Sequence, residues 1–173
     1  MTDARPLVLC LLGTDHHPFD RLVRWCDDVA SSRPGVRVLV QHGATRPPAT
    51  AGAVAYLGKD ELAHELAAAH VAICHGGPGL ISDVRAAGLL PLVVARDPSR
   101  GEHVDGHQQR FVARFATTGS IRPVDDLPTL RREIELLLDE PRGQGLDASA
   151  DRQRVLDTVR RFETVVEGLL ARR

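Results

Sequence analysis

The sequence predicts an α/β fold: a Rossmann-like parallel sheet with helices on both faces. Three observations lead there. Short runs of continuous apolar residues alternate with amphipathic runs of helical period. The apolar runs lack the every-second-residue alternation of a half-solvated sheet, so their strands are expected to be buried on both sides. Glycine, proline, threonine and aspartate punctuate the junctions. The chain has 173 residues, 43% hydrophobic and 26% charged, which suits one domain with a sizeable core.

The elements follow in order. Residues 7–12 are a strand ended by Gly13-Thr14. Residues 19–30 carry Phe19, Leu22, Val23, Cys26 and Val29 on one helical stripe. Residues 36–40 are a second strand after the turn Arg33-Pro34-Gly35. Residues 43–52 are a loop rich in Pro, Ala and Thr, and residues 53–57 a short third strand. Asp60 is expected to cap a helix running to Ala69, with Leu62 and Leu66 inward. Residues 71–74 are a buried strand, His75-Gly76-Gly77-Pro78-Gly79 a glycine-rich turn, and residues 80–87 a helix stopped by Gly88. A strand over 91–95, a polar loop over 97–106 and a helix over 107–117 come next. Ile121 and Val124 flank a last short strand, and residues 129–139 are a helix. Residues 140–148 read as a linker. Residues 152–171 read as a final helix with Val155, Val159, Phe162, Val166 and Leu169 on one face. The expected division is a domain over 1–149 and a C-terminal helix over 150–173 that packs on it or on a partner.

Composition excludes several classes. Twenty-two basic residues against 23 acidic ones give a formal net charge of −1, so a generally basic nucleic-acid-coating surface is not indicated. The longest apolar runs are too short to cross a bilayer, and the N-terminus lacks the basic-then-apolar pattern of a signal peptide. A cytoplasmic location is expected. Cys10, Cys26 and Cys74 are widely spaced and form no C-x-x-C pair, which suits small core residues in a reducing compartment.

Sheets of this kind bind ligands beyond the carboxyl ends of their strands, so the loops after Leu12, Cys74 and Ala95 are expected to line one crevice. In the loop 75–79 the glycines let the main chain approach a ligand, and Pro78 fits the first helical position. The free N–H groups of that helix end favour an anion such as a diphosphate. The plainer reading is a tight turn, and the spacing is not G-x-G-x-x-G. Asp83, one turn into the helix, can accept two hydroxyl hydrogen bonds, as a ribose diol offers, or can be a solvated carboxylate. Asp15, His16 and His17 can be acid–base groups, or a polar turn in which Asp15 or Asp20 caps the next helix. Arg100, Glu102, His103, His107 and Gln108 crowd one loop, which favours a polar ligand over a mere helix cap. His103 and His107 are four apart, yet Gly106 lies between them and no Glu follows His103 as H-E-x-x-H requires, so no metal site is expected.

Gly13-Thr14, Pro18-Phe19-Asp20-Arg21-Leu22, His75-Gly76-Gly77-Pro78, Gly101-Glu102-His103-Val104 and His107-Gln108 occur in this order. Together they resemble the nucleotide-sugar-binding domain of family 28 glycosyltransferases, in particular the small stand-alone subunits of bacterial exopolysaccharide and capsule assembly. The likeness runs from about Leu7 to Ala116. It implies one half of a GT-B glycosyltransferase, whose two Rossmann-like domains face each other across a cleft. By position, residues 76–80, which include Gly79 and Leu80, would contact the diphosphate and uridine, with His75 opening the loop. Asp83 matches a carboxylate, usually Glu, that grips the ribose. His107 and Gln108 match a polar pair at the donor sugar and phosphates, and Gly13 and Thr14 match the first-strand loop near the phosphates. Arg100 is the nearest candidate cation.

The resemblance implies an inverting UDP-sugar-dependent hexosyltransferase with no cofactor and no metal. Its acid–base groups would be sought among Asp15, His16, Glu102 and His103, or in the other subunit. The partners implied are a UDP-sugar, a membrane-anchored acceptor-binding subunit and, through it, a polyprenyl-diphosphate-linked acceptor at the inner membrane face. No nucleic acid is implied. The length, short of two such domains, is expected to make activity depend on that subunit. The alternative is a non-catalytic nucleotide-sugar-binding module that scaffolds or regulates a partner glycosyltransferase. A nucleotide-sugar epimerase and a small dehydrogenase are disfavoured, the first by length and the second by the missing glycine fingerprint.

Overall fold

A computed structural model of the chain describes residues 4–141. Six parallel strands form one sheet: β1 (Leu7–Leu11), β2 (Arg37–Gln41), β3 (Gly52–Val54), β4 (Val71–His75), β5 (Pro91–Val94) and β6 (Arg122–Pro123), in the order β3-β2-β1-β4-β5-β6. The helices are α1 (Asp20–Ser32), α2 (Lys59–Ala68), α3 (Pro78–Ala86), α4 (His107–Ala116) and α5 (Leu127–Asp139), with a 3₁₀ turn at Pro98–Arg100. The α/β class and the order of elements agree with the sequence reading. The expected helix over 152–171, and nearly all of the linker before it, lie outside the described residues. No helix of the described residues is long and apolar enough to cross a membrane.

Strand periodicity assigns the two layers. On one face Val8, Cys10 and Leu12 meet Phe19, Leu22, Cys26 and Val29 from α1 and its N-terminal flank, and Leu130 and Ile134 of α5. On the other, Leu7, Leu9 and Leu11 meet Leu66 of α2, Ile81 and Val84 of α3, and Val112 of α4. Both faces are therefore apolar, which is why the strands read as unbroken hydrophobic runs. The three thiols are buried and unbonded, and burial pushes those of Cys10 and Cys74 upward, as inert core residues require. Arg131 pairs with Asp28 and Arg33 with Glu135 where α5 lies beside α1.

Several helix starts differ from expectation: α3 begins at Pro78 and not at residue 80, because proline at the first turn needs no N–H partner. Asp60 is not a cap. Gly58 precedes α2, and its N–H donates to the Glu61 carboxylate at 2.7 Å, so the acidic first turn replaces an aspartate cap. Helix α5 begins two residues earlier than the periodicity suggests. Asp126 accepts the Thr129 N–H at 2.7 Å and Pro128 fits the first turn, which together outweigh the apolar stripe as the start signal. The stop of α3 is as read: Gly88 has φ +79°, and the N–H groups of Gly88 and Leu89 bond Arg85 and Val84 carbonyls in a Schellman closure.

The strand order positions the site. From β1 the chain steps outward to β2 and β3, then returns to place β4 on the other side of β1. The connections diverge at the carboxyl ends of β1 and β4, which opens a crevice between the two following loops.

Candidate functional site

Three loops meet at that crevice: residues 12–19 after β1, residues 75–77 after β4 and residues 95–106 after β5. His75 ends β4, and its ring lies between two glycines. A Cβ at Gly13 would stand 2.6 Å from its Nε2, and one at Gly77 would stand 2.2 Å from its Cε1. Gly13 has φ +80° besides, so its turn needs glycine on two counts. Burial, then the neighbouring Arg96 charge, pulls the His75 pKa down to about 4. The imidazole is neutral near pH 7, and its buried Nδ1 has no partner among the described residues. Because the folded-state pKa is depressed, His75 stabilises the fold above the ordinary value of 6.5, and that contribution is lost as pH falls through about 4. Urea titrations at several pH values should therefore show wild type losing stability against His75→Gln across that window; parallel curves would refute it.

The N-terminus of α3 faces the same loop. Pro78 takes the first turn with no N–H to satisfy. The N–H groups of Gly77, Gly79 and Leu80 have no partner among the described residues. Gly76 differs from what the sequence suggests. Its N–H donates to Gln108 Oε1 at 3.0 Å, and the Arg96 N–H shares that oxygen at 3.3 Å. Gln108 is only 3% exposed. Its amide oxygen ties the β4 and β5 loops together and is not free for a ligand, so Gln108 is a brace where the motif suggests a contact.

Arg96 is the main residue that sequence reading missed. It is 1% exposed. It donates through Nη1 to the carbonyls of His17 (2.8 Å) and Glu102 (3.0 Å), and through Nη2 to that of Leu12 (3.0 Å). Its guanidinium lies 4.7 Å from the centre of the Phe19 ring. The available signal was a cation following a fully apolar strand, Val93-Val94-Ala95-Arg96. Arg100, the cation expected to matter, instead pairs with Asp97 at 3.3 Å on the exposed 3₁₀ turn.

Glu102 also takes a different place. It is 4% exposed, and both carboxylate oxygens are engaged. Arg21 Nε donates to Oε1 at 3.0 Å, while Arg21 Nη2 and the Asp97 N–H donate to Oε2 at 2.7 and 2.9 Å. These three bonds tie α1 to the β5 loop, so Glu102 holds the two together.

The remaining polar groups form a belt. Asp15 Oδ1 accepts from the His17 main-chain N–H and lies 2.7 Å from its Nδ1. Burial pushes the Asp15 carboxyl up, but His17 and Arg96 outweigh it and hold it below the ordinary value. Asp105 repeats the arrangement with His107, at 2.8 Å from the N–H and 2.6 Å from Nδ1. His103 lies between, with Nε2 3.4 Å from Asp15 Oδ2. Ring centres are 5.7 Å apart for His17 and His103, and 4.5 Å for His103 and His107. Two trios could hold a metal ion among the described residues: Asp15 with His16 and His17, and His103 with Asp105 and His107. Neither Asp15 nor Asp20 caps α1, which Phe19 precedes without a side-chain cap.

Thus Gly13, Asp15, His16, His75, Gly76, Gly77, Glu102, His103, His107 and Gln108 are brought to one edge of the sheet. Thr14 is exposed beside them. Asp83 is exposed too, and lines an apolar groove of about 480 Å³ between α2 and α3 with Lys59, Leu62 and Ala63. Gln41, unremarked in the sequence, fixes the first loop by accepting the Gly13 N–H at 3.0 Å and donating to the carbonyls of Gly13 and Ala55 at 3.1 and 2.9 Å.

Residues 19–155 match the glycosyltransferase family 28 C-terminal domain. The chain belongs to this family. No curated protein matches it. Among solved structures it is similar to the glycotransferase of kitacinnamycin, at 19% identity and TM-score 0.63, over 83% of this chain and 37% of that one. The calicheamicin glycosyltransferase CalG4 is 18% identical with TM-score 0.59, over 94% and 44%. The spinosyn forosaminyltransferase SpnP is 18% identical with TM-score 0.62, over 95% and 44%. At such identities the likeness is one of fold, and it places this chain with the C-terminal halves of GT-B glycosyltransferases. The chain spans less than half the length of each. The family 28 C-terminal domain is the donor-binding domain of these glycosyltransferases, which use nucleotide-sugar donors without a cofactor.

Proposed function

We propose that the chain is the donor-binding, catalytic subunit of a two-component inverting glycosyltransferase. It moves a sugar from a UDP-sugar to a polyprenyl-diphosphate-linked acceptor in exopolysaccharide synthesis, beside a membrane-anchored subunit that holds the acceptor. The observation that carries the donor site is the set of unpartnered N–H groups at Gly77, Gly79 and Leu80, next to a neutral His75 whose buried Nδ1 lacks a partner. These are donors suited to a diphosphate. They stabilise the charge that develops on the leaving phosphate without a metal. The buried Arg96 adds fixed positive charge beneath them. Two of the solved relatives, VinC and the rhamnosyltransferase SpnG, are complexes with thymidine diphosphate, which supports a nucleoside diphosphate as the ligand class.

With Glu102 locked to Arg21, the acid–base role in this chain falls to Asp15 with the adjacent imidazoles, or to the acceptor subunit. That the base can lie in the partner is the specific support for the second reading, a nucleotide-sugar-binding module without catalytic groups of its own. Turnover by the reconstituted pair, measured with Asp15→Asn and His103→Gln, separates the two.

Asp83 sets the preference for a ribose. UDP should raise the melting temperature of the chain and NAD should not. Asp83→Ala should weaken UDP by about 1–3 kcal/mol, through loss of charge-accepted hydroxyl bonds. It should weaken thymidine diphosphate less, because a deoxyribose offers one hydroxyl fewer. Calorimetric titration of both nucleotides measures this. Equal losses would remove Asp83 from the ribose, and no UDP effect on the wild type would overturn the donor reading.

A further inference from the structure

We propose that His17 is the general base of the transfer, held by Asp15 so that its Nε2 takes the proton of the acceptor hydroxyl. The inference rests on the donor reading of the same crevice and names the group that activates the acceptor. Asp15 Oδ1 lies 2.7 Å from His17 Nδ1 and accepts the His17 main-chain N–H, also at 2.7 Å. Burial pushes the Asp15 carboxyl up, yet His17 and the Arg96 charge outweigh it and keep it ionised near pH 7. An ionised carboxylate only accepts, so the ring proton sits on Nδ1 and the lone pair on Nε2. Nε2 has no hydrogen-bond partner among the described residues, and the side chain is 22% exposed.

The other imidazoles at this edge lack that combination. His103 has both nitrogens engaged: Nδ1 accepts the Asp105 N–H at 3.4 Å, and Nε2 faces Asp15 Oδ2 at 3.4 Å. His16 is exposed and stands 4.0 Å from Asp15. His107 pairs with Asp105 at 2.6 Å, but both side chains are more than half exposed, so water competes for the pair. His75 is wedged between Gly13 and Gly77. The pairing of His17 with Asp15, and of His107 with Asp105, uses the atoms that an ion would need, so neither trio is free to take one. The groups that face the His17 ring are Asp15, His16 at 4.1 Å between ring centres and His103 at 5.7 Å. Arg96 donates to the His17 carbonyl at 2.8 Å, which fixes the main chain without using the ring.

The placement suits an inverting displacement. The amides of Gly77, Gly79 and Leu80 open α3, which packs on one face of the sheet. His17 lies on the loop that leads into α1, which packs on the other face. A sugar whose diphosphate is held at α3 therefore meets His17 across the crevice from its leaving group. The acceptor O–H gives its proton to Nε2 as the oxygen attacks the anomeric carbon. The bond from that carbon to the phosphate oxygen breaks, and its electron pair leaves on the β-phosphate. Asp15 stabilises the imidazolium that forms.

Nitrogen NMR of the full chain and turnover of the reconstituted pair test this. In the neutral ring of wild type, long-range proton–nitrogen spectra should show His17 protonated at Nδ1, and Asp15→Asn should move the proton to Nε2. His17→Gln should lower kcat of the pair about 100-fold or more and remove the acid limb of its pH profile. Free imidazole should restore part of the rate to His17→Ala. UDP should still raise the melting temperature of His17→Gln, which also shows that the variant folds. Asp105→Asn should leave kcat nearly unchanged. An Nε2–H tautomer in wild type overturns the proposal. So does a kcat loss below about tenfold for His17→Gln, which would give the base to the acceptor subunit. A loss for Asp105→Asn that matches the loss for Asp15→Asn overturns it in favour of His107. Loss of the UDP effect in His17→Gln alone would make His17 a donor ligand and not the base. These failures leave UDP binding by the wild type intact, whereas failure of the donor reading shows as no UDP effect on the wild type.

Discussion

Arg96→Met should be the most damaging single change in the described region, lowering unfolding free energy by about 3 kcal/mol or more. Arg96 donates to the carbonyls of Leu12, His17 and Glu102, which belong to two loops that no sheet ladder connects. Methionine keeps much of the buried volume but removes the donor from two buried carbonyls, those of Leu12 and Glu102, and from the partly buried one of His17. Each orphan costs about 1–3 kcal/mol, with partial relief as the loops relax. Arg96→Lys should recover only part of the loss, because one ammonium cannot reproduce the planar fork that serves both Nη1 and Nη2 contacts. Urea unfolding at constant m measures both. A loss below about 1 kcal/mol for the methionine variant would show that water replaces the guanidinium easily and that the loops do not depend on it.

Gly77→Ala should unseat His75 and abolish the UDP-induced rise in melting temperature. The Gly77 backbone is extended, with φ −84° and ψ 128°, so conformational strain is not the reason. The reason is contact: the new Cβ would stand 2.2 Å from His75 Cε1, and the ring has Gly13 on its other side. Overpacking of this kind costs about 1–3 kcal/mol. Gly79→Ala, two residues away, meets nothing within 4 Å and should be harmless to stability. His75→Ala combined with Gly77→Ala should be more stable than the sum of the single changes predicts. A coupling of about 0.5–3 kcal/mol is the signature of a shared site. Additive losses would mean that the ring swings away freely.

The fold was legible because the two layers leave a direct trace. The runs 7–12, 71–74 and 91–95 are apolar without alternation, and only a sheet covered on both faces asks for that. Boundaries that rest on polar capping were read less well: Asp60 has the right chemistry for a cap in the wrong register, since Gly58 and Glu61 already satisfy the turn. At the site, the position of polar groups in the crevice loops was legible and their partners were not. Asp15, His16, His103 and His107 stand out as polar groups in a crevice loop. The braces Arg96, Gln41 and Gln108 act by touching main-chain atoms far away in sequence, and a main-chain partner leaves no pattern in residue types. Glu102 shows the converse. Its residue type promised a base, and its partner Arg21, 81 positions earlier, assigns it to holding the loop.

Among the described residues the hydrogen bonds of the Arg96 guanidinium all go to carbonyl oxygens, which every residue type supplies, and its ring contact is with the buried Phe19. The side chains on the rim, from Thr14 to His16 and from His103 to Gly106, can therefore be exchanged as cassettes while the scaffold below stays in place. A library randomised at these two short rims should keep most of its members folded.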